Sequence, residues 1–384
     1  MKQLVARLRA RRSQVSIGIV ALAALASILG FILEPRRAAA SYLTAYVTIL
    51  GTVLGALLLL MIVELTARVW FTPLRMYAAA ITSALPALAL LFLPIAASAK
   101  VLFPWIAPDS LSPELRDAVA KKSAYLAPGV AGLRALLYWT VWLLVAGSLR
   151  AALVRRDRDR DSVSQRRVQI LSVAGIVLVA LTMTFASFDW LMSLSPGWSS
   201  SIYGLYFFAG AAAAAVALLS IIAGLALRRN SGTGMSADTL SALGNLQLTF
   251  LLLWIYFGYA QFLIIWIADI PREVAFYGIR ARGSWGALGL FLFAGHFALP
   301  FLVLIVRALK RNATVMIALG AWILLLHYID IYWLVMPEFN SGPGLHWLDL
   351  AAIATVGGVS ALVVAARHPQ HESRPSPVTV VVHS

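Results

Sequence analysis

The chain of 384 residues has no cysteine. That absence excludes disulfides, thiolate-held iron–sulfur clusters, a CxxC redox pair and covalent haem attachment through CxxCH. Charge is scarce: 12% of residues are charged, where soluble domains carry about 25%. Acids are scarcer than bases, with 16 Asp and Glu against 31 Lys and Arg and a net charge of +15. There is no phosphate-binding glycine loop, dinucleotide fingerprint, HExxH pair or serine-nucleophile elbow. What abounds is apolar: 61% of residues are hydrophobic. A water-soluble body of this size leaves too much surface to hide that many, and disorder needs low hydrophobicity. Lipid is the solvent this composition requires.

A bilayer core about 30 Å thick takes roughly 20 apolar residues of helix. Ten stretches qualify: 15–33, 42–63, 76–98, 131–149, 168–188, 200–227, 240–267, 285–306, 313–336 and 346–365. The fold class read from them is an all-α, polytopic membrane protein with ten transmembrane helices. A basic N-terminus (1–14) precedes a membrane domain (15–365), and a disordered tail (366–384) follows. The segments at 200–227 and 240–267 are long enough to tilt or protrude. With the N-terminus inside, about two thirds of the 31 basic residues fall on the inner side, so the positive-inside rule predicts both termini in the cytoplasm. The acids Asp109, Glu114, Asp117, Asp189, Asp269, Glu273, Glu338 and Asp349 lean to the outer side. The positive charge therefore reads as topology rather than nucleic-acid binding. The first segment resembles a signal peptide in its basic start and in Ala38-Ala39-Ala40. Its apolar run exceeds the usual span of about 7–15 residues, so it is read as a membrane helix.

The largest outer loop spans 99–130. Within it, Ser112-Pro113-Glu114 is a helix start, with a capping serine, proline at the first position and an acid near the dipole. Pro128-Gly129 is expected to close it. The inner stretch 155–167 reads as a solvated mixed-charge loop, and Ala211–Ala215 as a small-residue stripe for close helix packing.

Ionisable groups inside a membrane are costly and rarely face lipid, so each is a candidate for function. In the ninth segment His327 and Asp330 are three residues apart, hence on one helix face and toward the outer side. A carboxyl beside an imidazole can take and pass protons; the plainer reading is a polar pair that glues two helices. Asp189 ends the fifth segment and could simply cap its turn. Gln261 and Asp269 close the seventh. These groups are expected to gather in one outer pocket. His296 sits near mid-membrane in the eighth segment, with Pro300 four residues on permitting a kink. His296 and His327 are offset by about 7 Å of helix rise, which disfavours a haem between them. On the inner side, Glu64, Asn245, Gln247 and Thr249 could form half of a proton path, although Glu64 could equally snorkel to water.

Four ordered stretches, FDWLMSLSPGWSSSIYGLYFFAG (188–210), QFLIIWIADIPREV (261–274), GHFALPFLVLIVRALKRN (295–312) and HYIDIYWLVMP (327–337), resemble the F-type membrane subunit of bacterial alternative complex III. That family belongs to the polysulfide-reductase membrane-subunit (NrfD-like) superfamily. The likeness is close over residues 180–365; the first 180 match only in helix number and spacing. It implies two four-helix bundles with flanking helices, segments two to five repeating as six to nine, and Asp189-Trp190 matching Asp330 and Trp333. It also implies residence in the bacterial inner membrane and a place in a quinol:cytochrome c oxidoreductase. The chain itself would hold no cofactor or metal, with quinol or quinone as its only small ligand. Haem and iron–sulfur centres would lie in partners: a multihaem cytochrome, an iron–sulfur protein and a homologous ten-helix membrane subunit of the C type. A proton- or ion-coupled transporter and a purely structural subunit remain as alternatives.

Overall fold

The computed structural model describes residues 2–66, 69–159, 161–230, 232 and 234–367. Twelve helices organise them: α1 (Lys2–Leu33), α2 (Pro35–Thr66), α3 (Thr72–Ala97), α4 (Pro113–Lys121), α5 (Pro128–Asp159), α6 (Ser162–Trp190), α7 (Tyr203–Arg228), α8 (Ala237–Ala268), α9 (Pro271–Arg280), α10 (Gly283–Ile305), α11 (Ala313–Val335) and α12 (Trp347–Arg367). Among the described residues ten of these are long and apolar enough to cross a membrane, all except α4 and α9. The chain is a multi-pass, all-α membrane protein. The end of the spans opposite Lys2 and Arg367 is called distal below; the charge bias predicts it to be the outer end.

The spans close into two rings of four. In the first, α2 packs on α3, α3 on α5, α5 on α6 and α6 on α2; in the second, α7, α8, α10 and α11 close in the same order. The rings meet along α2, α6, α7 and α11, while α1 and α12 pair outside against α2. Helix α2 is buried over nearly its whole length, and Thr44, Thr48 and Thr52 satisfy their hydroxyls on carbonyls one turn back. Close approach at the junction is sequence-encoded. A Cβ on Gly55 would stand 2.5 Å from the Ala211 carbonyl oxygen, and one on Gly320 would stand 2.7 Å from that of Ala217. Residues Ala211–Ala215, expected as a packing stripe, are fully buried there.

Several boundaries differ from the sequence expectation. The mixed-charge stretch at 155–167 is helical over 155–159 and 162–167. Helix α5 runs on to Asp159, α6 begins at Ser162, and Asp161 caps it by accepting from the Ser164 N–H at 2.7 Å. Arg155 pairs with Asp159 at 3.2 Å one turn on, so the charge supports helix beyond the apolar span. Pro128 opens α5 instead of closing the loop helix, because proline at a first helical position costs no hydrogen bond. The short helix after Ser112 is present as α4, capped by that serine. The basic N-terminus continues α1. Ala38, Ala39 and Ala40 are buried in the first turns of α2. Residues 366 and 367 extend α12; the rest of the expected tail, 368–384, lies outside the described residues.

Candidate functional site

The second ring holds a cavity of about 370 Å³ at its distal end, lined among others by Tyr206, Trp254, Gln261, Tyr277, Arg280 and Asp330. Its shape follows from a break in α10. The helix is regular over Gly283–Leu292, turns π-helical over Phe293–Ala298 and resumes at Leu299, with Pro300 just behind. Proline carries no N–H, so the carbonyls one wide turn back lose a donor. Trp322 of α11 replaces it by donating its indole N–H to the Gly295 carbonyl at 2.8 Å. Past the break, the proximal half of α10 packs on α8 while its distal half leans on α11 and α9. The space left between distal α8 and α10 is the cavity. Its rim residues Phe262 and Phe293 are exposed on the surface that faces lipid.

Asp330 lies at 1% exposure on the cavity wall. Tyr206 donates to its Oδ1 at 2.5 Å and the Trp254 indole to its Oδ2 at 3.1 Å. Two neutral donors from two other helices thus fix the carboxyl without neutralising it. Gln261 donates to the Tyr277 hydroxyl at 2.9 Å, which leaves its carbonyl oxygen without a hydrogen bond. Burial pushes the Tyr277 phenol up to about 12, so it acts as a neutral donor and acceptor. Arg280 is 1% exposed and supplies the cavity's positive charge. Its guanidinium donates to the carbonyls of Leu334 at 2.7 Å and Phe276 at 3.0 Å and to Glu338 at 3.1 Å. Its Nε has no hydrogen bond among the described residues.

The two histidines sit proximal to the cavity, outside its lining. His296 in the π turn places its ring 4.5 Å from that of Trp254. A Cβ on Gly210 would lie 3.4 Å from His327 and 3.3 Å from Trp254, so both side chains border the space that this glycine leaves open. Both imidazoles are fully buried, and neither has a hydrogen bond among the described residues. Further proximal, Gln247 is 1% exposed with both amide atoms unpartnered, and Lys310 donates to Asn245 at 2.7 Å. Thr249 bonds within its own helix. His327, His296 and Gln247 are thus under-satisfied polar groups on the proximal side of the cavity, on three different helices.

The expectation of one shared outer pocket needs correction. Asp330 and Gln261 line the cavity together; Asp189, Asp269 and His327 do not, and the groups expected further inward, His296 and Glu64, lie outside it as well. Asp189 belongs to the first ring. There the Arg134 guanidinium grips it in fork geometry at 2.9 and 2.8 Å, Tyr138 donates at 2.8 Å, and Tyr125 lies 3.8 Å beneath Arg134. The matching core of that ring is filled by aromatics. Trp190 lies within 6.5 Å, ring to ring, of Tyr46, Phe92, Tyr138 and Trp142, and the gap left is about 10 Å³, no larger than one water. Asp269 is exposed and ends α8 in the left-handed conformation. Glu64 neither snorkels nor stands free: it is buried between Arg75 at 2.6 Å and Arg156 at 2.5 Å. Two cations around one acid make a staple across α2, α3 and α5 rather than a carrier. The acids Asp189 and Asp330 both lie on the fourth helix of their ring, Asp189 next to its end and Asp330 five residues before it. Their donors come from different positions, the third helix in one case and the first and second in the other.

Four participants escaped the sequence reading. Arg134 and Arg280 counted only as outer charges, and Tyr206 and Trp254 were lost among apolar neighbours. One signal was present: a buried carboxyl on α11 needs donors at its own depth, and Tyr206 and Trp254 are polar-tipped aromatics near the distal parts of α7 and α8.

Among the described residues, the fold and the cavity define a membrane protein with ten helices able to span the bilayer and a buried acid, Asp330, on a cavity wall. A scan against protein-family models and a search of curated proteins each found no match to this chain.

Proposed function

We propose that this chain is a membrane subunit of a quinol:electron-acceptor oxidoreductase of the alternative complex III type, and that Asp330 handles protons there. The observation that carries the proposal is the buried Asp330 carboxyl on the wall of a 370 Å³ cavity, held by Tyr206 and Trp254. A proton carrier needs access, a carboxyl free of a fixed countercharge and neighbours able to take the next proton. Asp330 has the cavity, and its two hydrogen-bonding partners are neutral. His296 stands against Trp254 and His327 borders the same Gly210, as the next groups inward. Asp189 and Glu64 are disqualified by the arginines fixed on them. The resemblance of the four stretches supplies the quinol chemistry and the partners: a multihaem cytochrome, an iron–sulfur protein and a homologous ten-helix membrane subunit.

A second reading, an ion-coupled transporter, draws support from the broken spans, since transporters place their sites at discontinuous helices. Helix α3 is interrupted near Pro86 and Pro94, and α10 at its π turn. One experiment separates the two. Mild-detergent isolation from the native membrane should bring down haem-bearing partners and quinol-oxidising activity, and Asp330→Asn should lower that turnover by about a hundredfold or more, the weight of a placed acid–base group. Isolation as a lone chain with solute-dependent flux would contradict the first reading and favour transport.

A further inference from the structure

A second cavity, about 880 Å³, lies on the distal face between the 99–130 stretch, the loop after α6 and α9. Exposed Glu114 and Asp117 stand on its lining, so it is a water-filled vestibule. Phe276 lines both this vestibule and the Asp330 cavity. Its ring stacks on Trp198 at 3.8 Å and 8°, and the Arg280 guanidinium lies 3.6 Å over the same ring. Phe276 is thus clamped between an indole and a cation. Lys122 holds the Trp198 loop by donating to the carbonyls of Pro196 at 3.0 Å and Trp198 at 3.2 Å. Arg280 faces the inner cavity; its partner Glu338, 19% exposed, faces the vestibule and also accepts from Ser195 at 2.5 Å. Phe276, stacked on Trp198, and the Arg280–Glu338 pair stand between the two spaces.

From this juxtaposition we infer that these residues are the door between the membrane-embedded Asp330 site and the outer water, with Glu338 as its proton acceptor and Arg280 as its electrostatic bar. A fixed buried guanidinium repels hydronium and other cations, as positive groups do in selective pores. Arg280 cannot itself yield a proton, and two backbone carbonyls keep it in place whatever Glu338 does. A proton leaving Asp330 reaches the Glu338 carboxylate, which becomes a neutral acid and loosens from Arg280. Glu338 then gives the proton to vestibule water, regains its charge and re-forms the pair. Asp330 is left ionised for the next proton, so charge balances with no other reactant.

This inference rests on Asp330 as the proton-handling group, but its test does not depend on turnover. The natural chain has no cysteine, so single introduced thiols report water access without background. Gly289→Cys lines the inner cavity, where an added Cβ meets the Trp333 ring at an ordinary 3.5 Å; Ala275→Cys lines the vestibule. Each is placed in the full chain in sealed native membranes and treated from the distal side with membrane-impermeant 2-sulfonatoethyl methanethiosulfonate. The vestibule thiol of Ala275→Cys should label fast throughout. The inner thiol of Gly289→Cys should label slowly, then about tenfold faster when Glu338→Gln removes the charged bond that closes the door, and faster also with Phe276→Ala. Asp330→Asn should leave labelling unchanged while lowering turnover, so failure of the door and failure of the proton site give different results. Equal inner-thiol rates in all backgrounds, whether slow or fast, overturn the inference. Ser195→Ala is the milder second variant if Glu338→Gln fails to assemble: it frees Glu338 from its hydroxyl donor without changing charge, and an unchanged inner-thiol rate in it counts against the door as well.

Discussion

Replacing Arg134 with alanine should expose how much of the first ring is structural. The substitution removes both charged hydrogen bonds from Asp189, which is 5% exposed, and leaves it only the Tyr138 hydroxyl. Breaking a buried pair from one side costs about 3–5 kcal/mol. Arg134 keeps 17% of its side chain accessible, so water can partly replace it and the lower end, about 3 kcal/mol, applies. With an unfolding entropy of about 2.1 cal/mol/K per residue, that corresponds to a fall in Tm of roughly 4 °C for a chain of this length. The assay is thermal unfolding of the detergent-solubilised protein, followed by tryptophan fluorescence. The informative partner is the double variant Arg134→Met with Asp189→Leu. It removes both charges, so it should melt higher than Arg134→Ala, since an apolar pair of similar bulk is often neutral. An Arg134→Ala protein that melts within a degree of the parent, or a double variant that melts lower than the single, would refute the view of this pair as a buried structural clamp.

Gly55→Ala should force α2 from α7, because its Cβ would meet the Ala211 carbonyl oxygen at 2.5 Å; a loss of about 1–3 kcal/mol is expected in the same melting assay, whereas Gly147→Ala, with open space around it, should not destabilise. Trp322→Phe should leave the Gly295 carbonyl without its donor at the π turn. The cost is about 1–3 kcal/mol, and amide hydrogen exchange across 293–300 should quicken while α7 is unaffected. Arg156→Gln should strip one of the two cations from buried Glu64 and lower Tm by an amount similar to that of Arg134→Ala, with turnover per assembled complex unchanged.

The membrane character, the number of spans and their order were legible from apolar run length alone, because the hydrocarbon thickness dictates it. The position of the α10 break was legible too, through Pro300. Helix ends were not. Run length marks where a helix is apolar, yet α5 continues through charged residues that pair one turn apart. The amphipathic α9 was missed for the same reason, being too short and polar to register as a span. Asp330, Gln261 and the depth of His296 and His327 could be read from position along their helices. Which acids share a space could not, since Asp189 and Asp330 both lie toward the distal ends of their helices and are told apart by lateral neighbours. Arg134, four residues before Tyr138 on one face of α5, decides that Asp189 is neutralised; nothing comparable meets Asp330. The aromatic filling of the first ring against the open second ring is likewise a product of lateral packing among helices distant in sequence.

The central claim is that Asp330, and not its counterpart Asp189, carries protons. Proton release during quinol oxidation by the assembled complex, followed with a pH-sensitive dye on the distal side of sealed vesicles, addresses it most directly. Asp330→Asn should suppress release while haem content and subunit composition stay normal, and Asp189→Asn, where it assembles, should leave release per electron intact. Equal release per electron and equal rate in parent and Asp330→Asn vesicles would contradict the claim.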